Sequence, residues 1–245
     1  MTSDILLSVR NLGTRFKTNW VHHHFDLDII KGEVFVLLGG SGSGKSTFLR
    51  TLIGLEKTNE GTCEYHGQDI FLNHEHEWKI VRQKMAYVFQ GGALFDSLTV
   101  GENLSYPLLE HTQLSAEERE EKIATILKQL DLNNTTDLLP SSLSGGMQKR
   151  VGLARAMMMD PDLILYDEPT AGLDPANSQN IARTILKLKK AGKTSILVTH
   201  DTDCAVRVAD RFGFIAEGKI AALQTIAEFK SQPHPLLKSY FDGEG

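Results

Sequence analysis

Gly39-Gly40-Ser41-Gly42-Ser43-Gly44-Lys45-Ser46-Thr47 stands between the apolar run Val34-Phe35-Val36-Leu37-Leu38 and the helix-like segment Phe48-Leu49-Arg50-Thr51-Leu52-Ile53. Strand, glycine-rich loop, helix is the setting in which G-x-x-x-x-G-K-[ST] becomes a phosphate site instead of a flexible turn. Glycines carry no Cβ, so successive backbone N–H groups can close around phosphate oxygens. The helix start adds the positive end of its dipole. Lys45 is expected to reach the β- and γ-phosphates as a point charge, and the Ser46 hydroxyl to ligate Mg2+.

Other buried-strand candidates also end in polar residues, and the C-terminal strand ends of an open α/β sheet are where ligand groups collect. Asp162-Leu163-Ile164-Leu165-Tyr166-Asp167-Glu168-Pro169 is an apolar strand that delivers two carboxylates. Asp167 is placed to hold the Mg2+ water shell and Glu168 to orient or deprotonate an attacking water. Adjacent acids at a strand end repel one another unless cations or hydrogen bonds compensate, which argues against a purely structural role. Thr194-Ser195-Ile196-Leu197-Val198-Thr199-His200 ends in an imidazole able to donate to a γ-phosphate oxygen or position the water. Met85-Ala86-Tyr87-Val88-Phe89 ends in Gln90, which can ligate Mg2+ or hold that water. Ser144-Gly145-Gly146-Met147 is a second glycine pair at a helix start, with backbone N–H groups and the Ser144 hydroxyl available to an anion. Asp174 follows in a turn.

The 245 residues are 41% hydrophobic and 23% charged, which suits one large or two small packed domains and argues against a disordered chain. The formal net charge of -5 gives no basic footprint, so nucleic acid is not an expected partner. Cys63 and Cys204 lie far apart with no C-x-x-C neighbour, which disfavours a disulfide framework and a zinc site. The N-terminus lacks a basic segment followed by an apolar core, and no run approaches the ~18 apolar residues of a membrane span, so a cytosolic chain is expected.

Ile5-Leu6-Leu7-Ser8-Val9-Arg10 and His24 to Ile30 read as strands. Phe16, with Trp20 nearby, is either an adenine-stacking ring or part of the packing of this β-layer. His22, His23 and His24 read as strand and surface residues, because contiguous strand side chains alternate faces and make a poor ligand set. Residues 71–84 read as a helix, residues 100–109 as a second, and Ser115-Ala116-Glu117-Glu118 as a capping box opening a third that reaches Leu130. Few strand signals occur over residues 91–160, which predicts a helical insertion. Residues 210–220 read as two strands turning at Glu217-Gly218, and residues 223–230 as a helix. Leu236, Leu237, Tyr240 and Phe241 in the tail either cover this chain or dock a second subunit.

Taken together the motifs resemble the ATP-binding cassette ATPases in kind and in order. The Walker A loop is Gly39 to Thr47, the Q-loop Gln90, the signature Leu143-Ser144-Gly145-Gly146-Met147, the Walker B strand Asp162 to Glu168, the D-loop holds Asp174 and the switch histidine is His200. Met147 departs from the glutamine many members carry. The resemblance implies an α/β fold: a RecA-like P-loop NTPase core with an antiparallel β subdomain (residues 1–90 and 161–225), an inserted α-helical subdomain (91–160) and a C-terminal tail (226–245). It also implies ATP and Mg2+ as cofactors, adenine stacking on Phe16, and a head-to-tail homodimer. Each ATP then lies between one copy's Walker A loop and the other's signature. With Glu168 and His200 present, a hydrolytically competent site is expected.

A finer resemblance runs from Phe89-Gln90-Gly91-Gly92-Ala93-Leu94-Phe95-Asp96-Ser97-Leu98-Thr99-Val100 through Gly101-Glu102-Asn103-Leu104-Ser105-Tyr106-Pro107-Leu108. With Glu110-His111-Thr112, it is similar to the ATPases of Mla and MCE-associated systems, which move phospholipids between bacterial membranes. That implies transmembrane permease subunits docked on this stretch, an MCE-type lipid-binding protein in the complex, and a place on the cytoplasmic face of the inner membrane. The tail after Gly243 departs from relatives with a longer extension. Importers of small polar solutes share every nucleotide motif. Soluble cassettes that act on ribosomes or DNA without transport usually carry two cassettes in one chain or a long coiled-coil insertion, and usually need a basic surface, whereas this chain has one cassette and an acidic balance.

Overall fold

The structure, a computed structural model, describes residues 4–72 and 74–243. Strands β1 (Ile5–Phe16) and β2 (Asn19–Ile30) form a long hairpin, after which β3 (Val34–Gly39), buried along its whole length, enters a different sheet. Helix α1 (Lys45–Leu52) starts at the glycine-rich loop. Strands β4 (Glu60–Tyr65) and β5 (Gln68–Asp69) complete an antiparallel sheet of order β2-β1-β4-β5. After α2 (Glu75–Lys84) and β6 (Met85–Val88) come α3 (Val100–His111), α4 (Ala116–Gln129) and α5 (Gly145–Met157). The remaining elements are β7 (Leu163–Asp167), α6 (Pro175–Lys190), β8 (Thr194–Val198), α7 (Thr202–Val208), β9 (Arg211–Ala216), β10 (Lys219–Thr225), α8 (Ile226–Ser231) and α9 (Pro235–Phe241). The second sheet has the order β10-β9-β3-β8-β7-β6, parallel except for the β9–β10 hairpin.

Alternation along β3 divides the core. Val34, Val36 and Leu38 pack with the helices α3 to α6, whereas Phe35 and Leu37 pack with α1 and the antiparallel sheet. Ile164 and Tyr166 of β7 join the first group, and Leu163 and Leu165 the second. Because β3, β7 and β8 are covered on both faces, their C-terminal ends are where backbone and polar side chains emerge together. Among the described residues no helix is long and apolar enough to cross a membrane.

The structure corrects several expectations. The first two strands run on to Phe16 and back from Asn19, with irregular pairing near Leu12 and Thr14. Asn11 and His24 sit at positive φ with their side chains bonded at 2.6 Å, which breaks the alternation a sequence pattern relies on. Helix α6 was not anticipated, though Asp174 caps it and Pro175 takes its first turn. Strand β10 extends to Thr225, so the helix expected from Leu223 starts only at Ile226, behind a Thr225–Glu228 capping box. The tail covers this chain: Leu237 is buried, and Phe241 packs on Phe212 and Phe229 at ring separations of 5.4 and 4.7 Å.

Candidate active site

The glycine-rich loop leaves β3 at Gly39, buried at the strand end, and turns at Gly44, whose φ of 99° no other residue adopts without strain. A Cβ on Gly44 would lie 2.6 Å from Val21 and 2.7 Å from the His22 ring, whereas Gly40 and Gly42 face open space. Lys45 is 6% exposed, and its Nζ donates to the carbonyls of Gly39 at 2.7 Å and Gly40 at 2.9 Å. Burial lowers its pKa, against the opposing pull of Glu168 and Asp167. The Ser43 hydroxyl is buried without a partner. The Ser46 hydroxyl donates to Asp167 Oδ1 at 2.6 Å, and the other carboxylate oxygen accepts from the Tyr87 hydroxyl, also at 2.6 Å.

Glu168 sits one residue beyond Asp167 at a φ of 51°, a left-handed conformation uncommon outside glycine. Its N–H donates to the Val198 carbonyl at 2.9 Å. That twist parts the neighbouring carboxylates: Asp167 faces Ser46 and Tyr87, while Glu168 accepts from the His200 N–H at 3.1 Å. The His200 Nε2 stands 3.4 Å from Glu168 Oε1. Burial raises the pKa of Glu168, and the His200 N–H and ring, with Lys45, oppose the rise.

A cavity of about 820 Å³ is lined by residues 41–47, Phe16, Gln90, Glu168 and His200. Phe16, 46% exposed at the end of β1, forms its outer wall. A groove of similar size, about 840 Å³, lies elsewhere, so volume does not distinguish the two. Lining does: a loop of backbone N–H groups, a buried lysine and converging acids suit a triphosphate. Ser144, Gly145, Gly146 and Asp174 do not line the cavity. Ser144 caps α5, which begins at Gly145, and Asp174 caps α6 through Asn177. These two helices meet closely, since a Cβ on Gly146 would stand 2.4 Å from the Asn177 side-chain oxygen.

Residues 22–171 match the ABC transporter family. The chain belongs to that family. It is one of its ATPase cassettes. The cassette is 33% identical over 239 residues to the intermembrane phospholipid transport system ATP-binding protein MlaF of Escherichia coli, covering 97% of this chain and 89% of that one. It is 38% identical over 217 residues to the methionine import ATP-binding protein MetN 2 of Rhodococcus jostii, covering 88% of this chain and spanning 64% of that relative's length. Its fold matches a dimeric post-hydrolysis structure of the cassette MJ0796 bound to ADP and Pi, with a TM-score of 0.82 and 32% identity over 90% of this chain and 98% of that one.

Several residues of this ABC cassette's site were not legible as such. Tyr87 was read only as a strand residue, yet its hydroxyl holds Asp167. His22 is fully buried beneath the loop, contrary to the surface position expected of it, with Nε2 donating to the Gly44 carbonyl at 3.1 Å and the ring edge-on to Phe25 at 5.3 Å. Among the described residues no group of three or more His, Cys, Asp or Glu gathers as a metal site. Burial pushes the pKa of His22 down to about 4. The unfolded chain binds that proton below about pH 6.5, so the stability due to a neutral His22 is complete above that value and lost as the pH falls toward 4. Between pH 7 and pH 4 this group should cost about 3 kcal/mol. Urea unfolding of the parent and of His22→Phe across that range checks it, the variant showing the shallower decline; parallel declines would assign the acid sensitivity elsewhere.

Proposed function

We propose that this cassette hydrolyses ATP in a head-to-tail pair of copies and so powers the movement of phospholipid or another lipid through a membrane permease. One observation carries the ATPase reading: a single cavity gathers residues 41–47, Gln90, Glu168 and His200 from separate strand ends. Backbone N–H groups of the loop and Lys45 take the phosphates, and Phe16 stacks on the adenine. Glu168 accepts a proton from the attacking water or orients it, its burial-raised pKa bringing it nearer the working pH. His200 donates to the γ-phosphate, and Gln90 reaches the same oxygens or the water.

The residues also fit Mg2+. Ser46 and Asp167 present hard oxygen donors in mutual contact, and an ion that keeps several waters and phosphate oxygens needs few protein ligands. When bound, Mg2+ neutralises charge developing on the phosphate oxygens. Tyr87 keeps Asp167 turned toward Ser46, and Gln90 is a further oxygen donor at the cavity.

Ser144, Gly145, Gly146 and Asp174 lie outside this copy's cavity, which supports their completing a partner copy's site. The contact of Gly146 with Asn177, and of Asn177 with Asp174, makes signature and D-loop one surface. In this reading the core comprises residues 1–90 and 161–225, the helical subdomain 91–160 and the tail 226–245. Closure brings one copy's helical subdomain onto the other copy's loop.

The permease seat is the groove that follows Gln90. Its wall includes Ala93, Phe95, Tyr106 and Pro107, and buried Asn103 pins the loop by bonding Phe95, Leu98 and Thr99. An apolar concavity with exposed aromatic rings suits an inserted helix. Tyr87 lines the same groove, so an occupant there touches the residue that holds Asp167.

For the cargo, the resemblance of residues 89–108 and the near-full-length likeness to MlaF favour lipid. The likeness to MetN 2 supports a second reading, import of an amino acid. The cassette, tagged and purified with its membrane partners, should bring down a permease, an MCE-type protein and phospholipid detectable by mass spectrometry. A solute-binding protein in their place, with turnover stimulated by a loaded amino acid, would replace the lipid reading.

A further inference from the structure

The C-terminal helix reaches the reacting groups. Tyr240 Oη lies 3.0 Å from His200 Nδ1, while the opposite nitrogen, Nε2, faces Glu168 Oε1 at 3.4 Å. An ionised carboxylate only accepts hydrogen bonds, so the contact with Glu168 favours the tautomer with its proton on Nε2. Nδ1 then keeps a lone pair, and the Tyr240 hydroxyl is its donor.

Sequence chemistry explains why the phenol is fixed. Leu237 is wholly buried, Phe241 packs on Phe212, and the Tyr240 ring meets Phe214 edge-on at 5.6 Å. Phe212 and Phe214 belong to β9, which pairs directly with β3 beneath the phosphate loop. The hydroxyl is therefore referenced to the central sheet. The His200 side chain, by contrast, is 53% exposed. A half-exposed imidazole at a strand end has free rotamers and free tautomers unless something holds it. Its backbone N–H is already used on Glu168, and the ring nitrogen facing away from Glu168 has Tyr240 as its protein partner.

We infer that Tyr240 is a positioning residue for ATP hydrolysis, holding the His200 ring so that an Nε2–H points toward Glu168 and the γ-phosphate. Helix α9 is thereby part of the active site. The inference rests on the role proposed above for His200.

Tyr240→Phe keeps the ring and its packing and removes only the hydroxyl. In the full-length chain, at protein concentrations where turnover per subunit is constant, kcat should fall about five- to tenfold, the equivalent of one lost hydrogen bond. KM for ATP should stay within about twofold, because the hydroxyl orients a group and does not bind nucleotide. Nitrogen-15 spectra of histidine-labelled protein should show the His200 Nδ1 signal moving and the two tautomers mixing. Unchanged kcat, or a lower kcat with an unchanged His200 signal, would overturn the inference. His200→Ala separates the layers. If it retains parental turnover, the proposed role of His200 fails and this inference with it; if it is inactive while Tyr240→Phe turns over normally, only the positioning role of Tyr240 is lost.

Discussion

Glu168→Gln is expected to bind ATP as the parent does, to lose turnover by about a thousandfold or more, and to accumulate as a closed dimer. The magnitude is that of removing a positioned general base and its charge from a reacting centre. Geometry makes the substitution a clean test. The amide oxygen of glutamine can still accept from the His200 N–H, which Glu168 takes at 3.1 Å, so the left-handed turn at position 168 keeps its partner. Lys45, Ser46 and Asp167, the groups assigned to phosphate and metal, are untouched. The Coulombic repulsion between Asp167 and Glu168 is relieved, so the variant's melting temperature should equal or exceed the parent's. Size-exclusion chromatography with ATP, beside a phosphate-release assay, reads both halves. Parental hydrolysis would remove Glu168 from the reaction. Lost hydrolysis without a stable dimer would leave Glu168 in place and count against the head-to-tail pairing.

Gln90, Glu168 and His200 of the candidate site are legible because each sits where an apolar run stops. Val34 to Leu38, Leu163 to Tyr166 and Thr194 to Val198 are continuous enough to predict doubly covered parallel strands, and their ends meet at one cavity. Local chemistry was also readable. Ser115 and Glu118 form the capping box their spacing predicts, with bonds of 3.2 and 2.7 Å. Tyr87 and Tyr240 were not legible as site residues, since a tyrosine in a strand or tail gives no sign of where its hydroxyl ends. Their partners, Asp167 and His200, lie 80 and 40 residues away, distances that only packing of the sheet and tail resolves. The same holds for His22, where pattern assigned strand but tertiary contact with the loop decided burial. Helix α6 is hidden for another reason: an aspartate followed by proline, as at Asp174-Pro175, reads equally as a turn and as the start of a helix.

Lys45→Ala should lower ATP affinity about a hundredfold and take hydrolysis with it. The lysine is nearly excluded from solvent, so its charge acts on a bound phosphate through a medium less screening than water. Charge-assisted bonds of this type are each worth about 1.5 to 3 kcal/mol, and about 1.4 kcal/mol corresponds to a factor of ten in binding. Nζ is bonded to the Gly39 and Gly40 carbonyls, so the ammonium is already held at the loop and has little freedom left to lose on binding phosphate. Its positive charge also offsets Asp167 and Glu168, and alanine leaves those acids facing an incoming triphosphate with the nearest cation gone. Loss of affinity should therefore be steeper for ATP than for ADP, because ATP brings one more phosphate charge toward those acids. Lys45→Arg should recover part of the charge but little activity, since the planar guanidinium is too large for the position between two carbonyls. Calorimetric titration with ATP and ADP tests each step: equal affinities in parent and Lys45→Ala would mean that the loop at 39–47 is not where the nucleotide binds.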